Sequence, residues 1–250
     1  MKLEDVVKQA ECLLITGRRG SGKTALGYRC LEILKDEKPA YVLGVPEHIW
    51  KYLPDDIVPL PLDEQTMLDL PDDAAFFFDE AALHFYSRDS HRYMNKLIGS
   101  LITLSRQRGW TVIFATHNTR KLDVGILIDV DAILFKEPSP LHAEMERVEI
   151  RKLMQRVYEA FSRIPKNERV KYAYVFSDIG RTLVETPLPS FWRQELSTPF
   201  RSPHDDAKSF YYECQNRLCG LAVMESDAKR NNYTCPKCGS RFRKVPFARK

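Results

Sequence analysis

The chain has 250 residues, of which 44% are hydrophobic and 29% charged, and its formal net charge is +4. This length predicts one sizeable α/β domain with a small appendage. No apolar run approaches the roughly 18 residues of a membrane-spanning helix, and residues 1–11 do not resemble a signal peptide. We therefore expect a cytoplasmic protein without a transmembrane segment.

A phosphate-binding loop is the strongest motif in the chain. Its residues, Gly17-Arg18-Arg19-Gly20-Ser21-Gly22-Lys23-Thr24, match G-x-x-x-x-G-K-[ST]. The loop and the following Ala25 are predicted to bind the phosphates of ATP through backbone N–H groups at a helix N-terminus. Lys23 is predicted to contact the β- and γ-phosphates, and the Thr24 hydroxyl to ligate Mg²⁺.

Short apolar runs predict a mostly parallel sheet that is buried on both faces. They alternate with helical stretches, so the fold class is α/β. The predicted strands are Cys12–Thr16, Tyr41–Leu43, Ala75–Phe78, Thr111–Thr116 and Ala132–Phe135. The predicted helices cover Lys23–Lys35, about 91–107 and part of 144–163.

Two acids, Asp79 and Glu80, end the third predicted strand, as in a Walker B motif. Asp79 is predicted to hold Mg²⁺ through water or through Thr24. Glu80 is predicted to orient or deprotonate the attacking water. This pair favours hydrolysis over transfer to a small molecule. A nucleoside kinase stays an alternative, although it accounts for neither Glu80 nor the cysteines near the C-terminus.

A polar pair, His117-Asn118, follows the strand Thr111–Thr116. Because the carboxyl ends of strands face the ligand crevice in a doubly wound sheet, we predict that one of the two senses the γ-phosphate or the catalytic water. The residues leave open which one does so. The alternative is a polar turn that only ends the strand.

Two arginines, Arg106 and Arg108, lie near the end of the helix that precedes this strand. Either is a candidate arginine finger, delivered across a subunit boundary to stabilise charge in the transition state. The alternative is a favourable interaction with the helix C-terminus.

The last third of the chain changes character. Tyr172–Phe176 and Arg181–Glu185 predict a β-hairpin. Thr186–His204 contains four prolines and predicts an extended connection. We accordingly predict an ATPase domain over residues 1–185, a linker over 186–208, and a small module with a basic tail over 209–250.

Four cysteines in this module have the spacing of a metal site: Cys214, Cys219, Cys235 and Cys238. Two close pairs of thiolates suit tetrahedral Zn²⁺, and the sequence Cys-Pro-x-Cys-Gly is typical of a zinc knuckle. A module this small buries little core, so the metal would supply its folding energy. Two disulfides are the alternative, which a reducing compartment disfavours.

Three stretches together resemble the FtsK–HerA superfamily of DNA-pumping ATPases: Phe78-Asp79-Glu80-Ala81, Leu104–Gly109 and Val112–His117. The nearest types are the compact packaging ATPases of archaeal and membrane-containing viruses and their Zot-like relatives. The resemblance covers about residues 10–140. One departure is His117, because the family usually has glutamine at this strand end. The C-terminal module resembles a zinc ribbon.

The resemblance implies a RecA-like fold and a homo-oligomeric ring with its sites at subunit interfaces. Members couple ATP hydrolysis to moving double-stranded DNA, so it implies a motor that translocates or packages DNA. The zinc ribbon would bind DNA or dock onto a capsid or nuclease partner. Two alternatives stay open: a nucleotide switch that assembles on DNA, as in an initiator or regulator, and a Zot-like ATPase for virion assembly or secretion.

Overall fold

The computed structural model describes most of the chain, which divides into two units, Met1–Phe200 and Arg201–Lys250. The first unit contains the phosphate-binding loop, and the second contains the four clustered cysteines. The described residues are 1–79, 90–117, 119, 122–145, 148–200, 210–216, 218–223 and 225–246.

An eight-stranded sheet forms the centre of the first unit. Its strands are β1 (Cys12–Thr16), β2 (Ala40–Leu43), β3 (Ile57–Leu60), β4 (Ala75–Asp79), β5 (Thr111–Thr116), β6 (Ala132–Phe135), β7 (Tyr172–Ser177) and β8 (Gly180–Glu185). They lie in the order β3-β2-β4-β5-β1-β6-β7-β8. The first six strands in this order run parallel to one another, whereas β7 is antiparallel to both β6 and β8.

The position of β5 defines the class of this sheet. It lies between β1, which leads into the phosphate loop, and β4, which ends in Asp79. This is the strand order of RecA-like P-loop NTPases, and the predicted α/β fold with a mostly parallel sheet is confirmed.

Helices cover both faces of the sheet. They are α1 (Leu3–Gln9), α2 (Lys23–Leu34), α3 (Glu47–Trp50), α4 (Glu64–Leu68), α5 (Ser90–Arg108), α6 (Val124–Asp129), α7 (Pro140–Met145) and α8 (Val148–Ser162). Successive side chains of a strand point to opposite faces, and β1 follows this rule. Leu13 and Ile15 join an apolar cluster with α1 and α2, whereas Leu14 joins a second cluster with α5 and α8. All five residues of β1 are buried, which explains its continuous apolar run.

The predicted strands and hairpin are present, with small shifts at their ends. Strand β3 was not predicted, because Pro59 interrupts its apolar run. Among the described strands, β3 lies at the edge of the sheet and pairs only with β2. An edge strand tolerates proline because the missing N–H group is not needed for a second neighbour.

Residues 186–200 pack on the first unit, although the sequence predicts a linker from residue 186 to 208. Leu196 is fully buried, and Trp192 packs against the same apolar cluster. The N–H group of Ser190 donates to Glu32 Oε1 of α2 at 2.8 Å. Apart from the short 3₁₀ helix Gln194–Ser197, this stretch forms no helix or strand, yet it packs, and the first unit extends to Phe200. Residues 201–208 of the predicted linker lie outside the described residues.

The second unit contains a small antiparallel sheet. Its strands are β9 (Phe210–Cys214), β10 (Ala222–Val223) and β11 (Phe242–Pro246), in the order β10-β9-β11, and helix α9 spans Glu225–Arg230. Its buried cluster consists of Tyr212, Cys214, Ala228, Cys235 and Phe242. Two of these five residues are cysteines, so little of this core is hydrocarbon.

Gly27 allows α2 to approach β4 closely. A Cβ at this position would lie 2.3 Å from the buried ring of Phe77. We expect Gly27→Ala to lower the free energy of unfolding by about 1–3 kcal/mol, because the ring and the helix would have to move apart. Chemical denaturation of the variant and the wild type would measure the difference.

Gly99→Ala in α5 is the matched control, because a Cβ there meets nothing within 4 Å. This change should leave stability unchanged or raise it by up to ~1 kcal/mol, since alanine is the better helix former. An equal loss in both variants would show that the close packing at Gly27 is not the cause.

Candidate nucleotide and metal sites

The phosphate-binding loop depends on glycine for its shape. Gly20 and Gly22 have φ angles of 73° and 90°, in the left-handed region that side chains other than glycine seldom adopt. Gly22 is also the N-cap of α2. The first-turn N–H groups of this helix and its partial positive charge therefore face the loop, which is a general arrangement for binding anions.

The Lys23 amine lies against this loop. Its Nζ donates hydrogen bonds to the backbone oxygens of Gly17 and Arg18, both at 3.0 Å. Ser21 is buried, and within the described residues its Oγ has no hydrogen-bond partner. Arg19 is exposed. A buried hydroxyl beside a cation and a helix N-terminus suits an anionic oxygen as its partner.

Thr24 and Asp79 meet at the end of the loop. The Thr24 hydroxyl donates to Asp79 Oδ2 at 2.7 Å, so the first turn of α2 is tied to the end of β4. A hydroxyl and a carboxylate are both oxygen ligands that Mg²⁺ accepts. The two residues therefore fit the predicted Mg²⁺ site.

His117, of the predicted sensor pair, follows a strand that ends at the same edge of the sheet, formed by the carboxyl ends of the parallel strands. Thr16 of β1 is paired in register with Thr116 of β5, and Asp79 with Ala115. His117 follows directly and is half-buried. Glu80 and Asn118 lie outside the described residues. The structure thus brings the loop, Asp79 and the start of the predicted sensor pair to one edge.

Arg106 and Arg108 lie at the opposite edge of the sheet, formed by the amino ends of the parallel strands, because α5 ends just before β5 begins. The length of β5 separates the amino ends of the strands from their carboxyl ends by about 17 Å, at ~3.3 Å per residue. Arg106 is 77% exposed, and its Nε lies 3.5 Å from Glu11 Oε2. Within one chain neither arginine reaches the loop, so a role in hydrolysis requires the site of a neighbouring subunit.

Arg108 also has local partners. Its Nε donates to Asp72 Oδ1 at 2.7 Å, and its Nη1 donates to the backbone oxygen of Leu68 at 2.9 Å. Its guanidinium lies 4.3 Å from the ring centroid of Trp110. These contacts fasten the end of α5 to the chain before β4, so Arg106 is the more accessible of the two arginines.

Sequence reasoning missed Lys136, which follows β6 and packs against the loop. Its side chain is buried, and a Cβ on Gly17 would lie only 2.8 Å from its own Cβ. Its Nζ donates to the backbone oxygen of Val170 at 2.6 Å and to Thr186 Oγ1 at 2.9 Å. The signal that was available is a charged pair, Lys136-Glu137, directly after a buried strand.

Glu137 is a second residue that the motifs did not reveal. Its Oε2 accepts hydrogen bonds from Nε and Nη2 of Arg18 at 2.9 and 2.5 Å. Its Oε1 accepts a hydrogen bond from Nη1 of Arg169 at 2.8 Å. One carboxylate therefore joins the phosphate loop to the segment that precedes β7.

Burial lowers the pKa of Lys136 to about 7 from the ordinary lysine value of 10.5. Between these two values the unfolded chain keeps a proton that the folded chain has released. Stability should therefore rise with pH across this window, by at most ~1.4 kcal/mol per pH unit. Below pH of about 7 both states are protonated and the contribution is constant.

Lys136→Met should remove this dependence. Measured at pH values of about 7, 8 and 9, the free energy of unfolding of the wild type should rise relative to that of the variant as pH rises. A difference that does not change with pH would mean that the folded amine keeps its proton throughout.

The four cysteines of the second unit converge. Their Sγ atoms all lie within 4.8 Å of one another. Cys214 and Cys238 are 3.4 Å apart and Cys219 and Cys235 are 3.7 Å apart, both close to the ~3.8 Å expected between sulfurs around tetrahedral zinc. These separations are far longer than a disulfide bond. Hydrogen bonds from Ser240 lower the pKa of Cys238 to about 6, whereas burial raises the pKa of Cys214 to about 12, so the thiolate is favoured at Cys238 and disfavoured at Cys214.

Comparison with solved structures finds likeness in the fold. The genome-packaging NTPase of Sulfolobus turreted icosahedral virus 2, in complex with AMPPCP, is 14% identical, with 72% of this chain and 98% of that chain covered and a TM-score of 0.48. A KaiC-like protein from Pyrococcus horikoshii is 14% identical over 50% of this chain and 70% of that one, with a TM-score of 0.37. The N-terminal domain of zonular occludens toxin from Neisseria meningitidis is 21% identical over 50% and 76%, with a TM-score of 0.29.

Packaging-type and Zot-like proteins, which the sequence resembles, are thus both among the structural neighbours. At these identities the likeness concerns the fold alone. No protein-family model matches the sequence. No curated protein matches it either.

Within the described part of the chain, no helix has both the length and the apolar composition that crossing a membrane requires.

Proposed function

We propose that this chain is a Mg²⁺-dependent ATPase that couples hydrolysis to the translocation or packaging of double-stranded DNA. The observation that carries the ATPase part is the 2.7 Å hydrogen bond between Thr24 and Asp79 at the end of the glycine-shaped loop. A phosphate loop can occur in proteins that only bind nucleotide. A carboxylate beside the loop threonine adds the metal ligand that phosphoryl transfer needs.

Each residue then has a defined task. The N–H groups of the loop and of Ala25 bind the phosphate oxygens, and Lys23 neutralises their charge. Thr24 and Asp79 would hold Mg²⁺, which supplies further positive charge to the phosphate oxygens. Glu80 follows Asp79 in sequence and would accept a proton from the attacking water, while His117 or Asn118 would contact the γ-phosphate.

The DNA part of the proposal is supported by the resemblance of the sequence to DNA-pumping ATPases and by the surface of the second unit. Lys237 and Arg241 in that unit are exposed, whereas Arg230 and Arg243 lie beside the carboxylates of Asp227 and Glu213. Exposed cations contribute sequence-independent attraction to the phosphates of DNA. We infer that residues 209–250 form a zinc ribbon that contacts DNA or docks onto a capsid or nuclease.

The ring part of the proposal is supported by Arg106. It is exposed at the edge of the sheet opposite its own loop, so it would need a neighbouring subunit to act as an arginine finger. A homo-oligomer with head-to-tail contacts would place it at the next nucleotide site.

Steady-state ATP hydrolysis with and without linear double-stranded DNA tests the proposal. We expect strong stimulation by DNA that is lost in Glu80→Gln. The matched control is Glu159→Gln, an exposed glutamate of α8, which should behave as the wild type.

Other outcomes would point elsewhere. Hydrolysis indifferent to DNA would contradict the motor and favour a protein-directed ATPase of Zot-like type. Stimulation by DNA without any movement along it, measured by displacement of a triplex-forming strand, would favour a nucleotide switch that assembles on DNA.

A further inference from the structure

A cavity of about 980 Å³ opens beside the phosphate loop. One side is formed by the loop and the start of α2, through Gly20, Gly22, Lys23, Thr24 and Ala25. The other side is formed by residues from 168 to 198, which we call the cavity wall. The volume lies within the ~300–1,000 Å³ typical of small-molecule sites.

The cavity wall presents apolar side chains to this space. Val170 is 49% exposed and Leu188 is 59% exposed, and both line the cavity. Trp192 also lines it, and its indole is packed against the ring of Tyr28, with ring centroids 6.4 Å apart. Large apolar side chains that are left open beside an anion-binding loop suit a ligand that is both charged and apolar.

Lys136, which packs against the phosphate loop, also holds the cavity wall in place. The buried Lys136 amine binds the backbone oxygen of Val170 and the hydroxyl of Thr186. A Cβ on Gly22 would lie 3.3 Å from Val170 Cγ2, so the wall and the loop are nearly in contact. A ligand on the loop therefore finds the wall already in place, which reduces the cost of ordering it.

The direction of the bound nucleotide follows from the two ends of the site. Thr24 and Asp79 mark the metal end, where the γ-phosphate has to lie for water to attack it. The rest of the bound nucleotide has to extend past the first turn of α2, where Ala25 borders the cavity. A nucleoside placed there meets the apolar face of the wall.

We propose that the cavity wall binds the nucleoside of the nucleotide whose phosphates the loop holds, with the base packed on Leu188 and Trp192 and the ribose beside Val170. This inference rests on the proposed function. The part of the cavity wall from residue 186 onward is predicted from the sequence to be a linker. The inference gives this part a role in specificity, because it would let the protein distinguish ATP from inorganic polyphosphate.

The test compares two ligands that share the phosphates and differ in the nucleoside. Isothermal titration with Mg²⁺ would measure the affinities for ATP and for inorganic tripolyphosphate in the wild type, Leu188→Ala and Val170→Ala. We expect each variant to bind ATP about tenfold more weakly and tripolyphosphate within about twofold of the wild type. Leu141→Ala is the matched control, because Leu141 of α7 is 68% exposed and does not line the cavity.

Each other result has a distinct meaning. Unchanged ATP affinity in both variants, or an equal loss for both ligands, would overturn the inference. Equal affinity of the wild type for ATP and tripolyphosphate would overturn it too, while leaving the phosphate loop in its proposed role. Binding of neither ligand by the wild type would overturn the proposed function itself.

Discussion

Asp79→Asn should lower the turnover number for ATP by about a thousandfold, because it removes the charge that we propose holds Mg²⁺ against the phosphates. The amide is nearly the same size, and its oxygen can still accept the hydrogen bond that Thr24 donates at 2.7 Å. The fold should therefore survive while the metal affinity falls. A coupled assay for phosphate release over a range of Mg²⁺ concentrations would measure the loss.

Binding experiments separate this effect from misfolding. The wild type should lose affinity for ATP when EDTA removes Mg²⁺, whereas Asp79→Asn should bind ATP with the same affinity in both conditions. Asp55→Asn, at an exposed carboxylate outside the site, should keep wild-type hydrolysis. Full activity in Asp79→Asn would remove this residue from the metal site.

Cys235→Ser should unfold the second unit. Cys235 is almost fully buried in a core whose apolar content is small, so the metal is expected to supply most of the folding energy. Structural zinc contributes about 10–16 kcal/mol in small zinc-binding peptides near neutral pH, more than such a core can replace. Limited proteolysis should then cut within residues 210–246 of the variant, while the first unit resists.

Metal content provides the second measurement for this prediction. The wild type should contain one zinc ion per chain by elemental analysis, and Cys235→Ser should contain none. Cys30→Ala serves as the control, because this buried thiol belongs to α2 of the first unit and should leave the zinc content at one. Zinc-free wild-type protein that resists proteolysis equally well would contradict a structural role of the metal.

The nucleotide site was the part of the molecule most open to prediction from sequence. The loop Gly17–Thr24 and the acid Asp79 belong to short motifs, which can be recognised because their residues are neighbours in the chain. Their strands are apolar along their whole length, which predicts burial on both faces. Strand β3 was not predicted from the sequence because Pro59 breaks the local apolar pattern. Its position at the edge of the sheet explains why proline is tolerated there.

The cavity wall was not predictable in the same way. Lys136, Val170 and Thr186 are far apart in the chain and meet only after β6, β7 and β8 have paired. Prolines in residues 186–200 suggest an extended linker, whereas Leu196, in the short 3₁₀ helix Gln194–Ser197, shows that a segment rich in proline can still bury apolar surface. Local propensity describes the backbone of such a segment and carries no information about its packing partners.

Glu137 connects the two parts of the proposed nucleotide site, the phosphate loop and the cavity wall. Its two carboxylate oxygens hold Arg18 of the loop and Arg169 of the cavity wall, at 2.9 and 2.8 Å. We therefore expect the affinity for the phosphates and the affinity for the nucleoside to be coupled. Loss of either arginine leaves the shared carboxylate with one partner instead of two, so the effects of Arg18→Ala and Arg169→Ala on ATP binding should not add, and their double-mutant cycle should return a coupling energy.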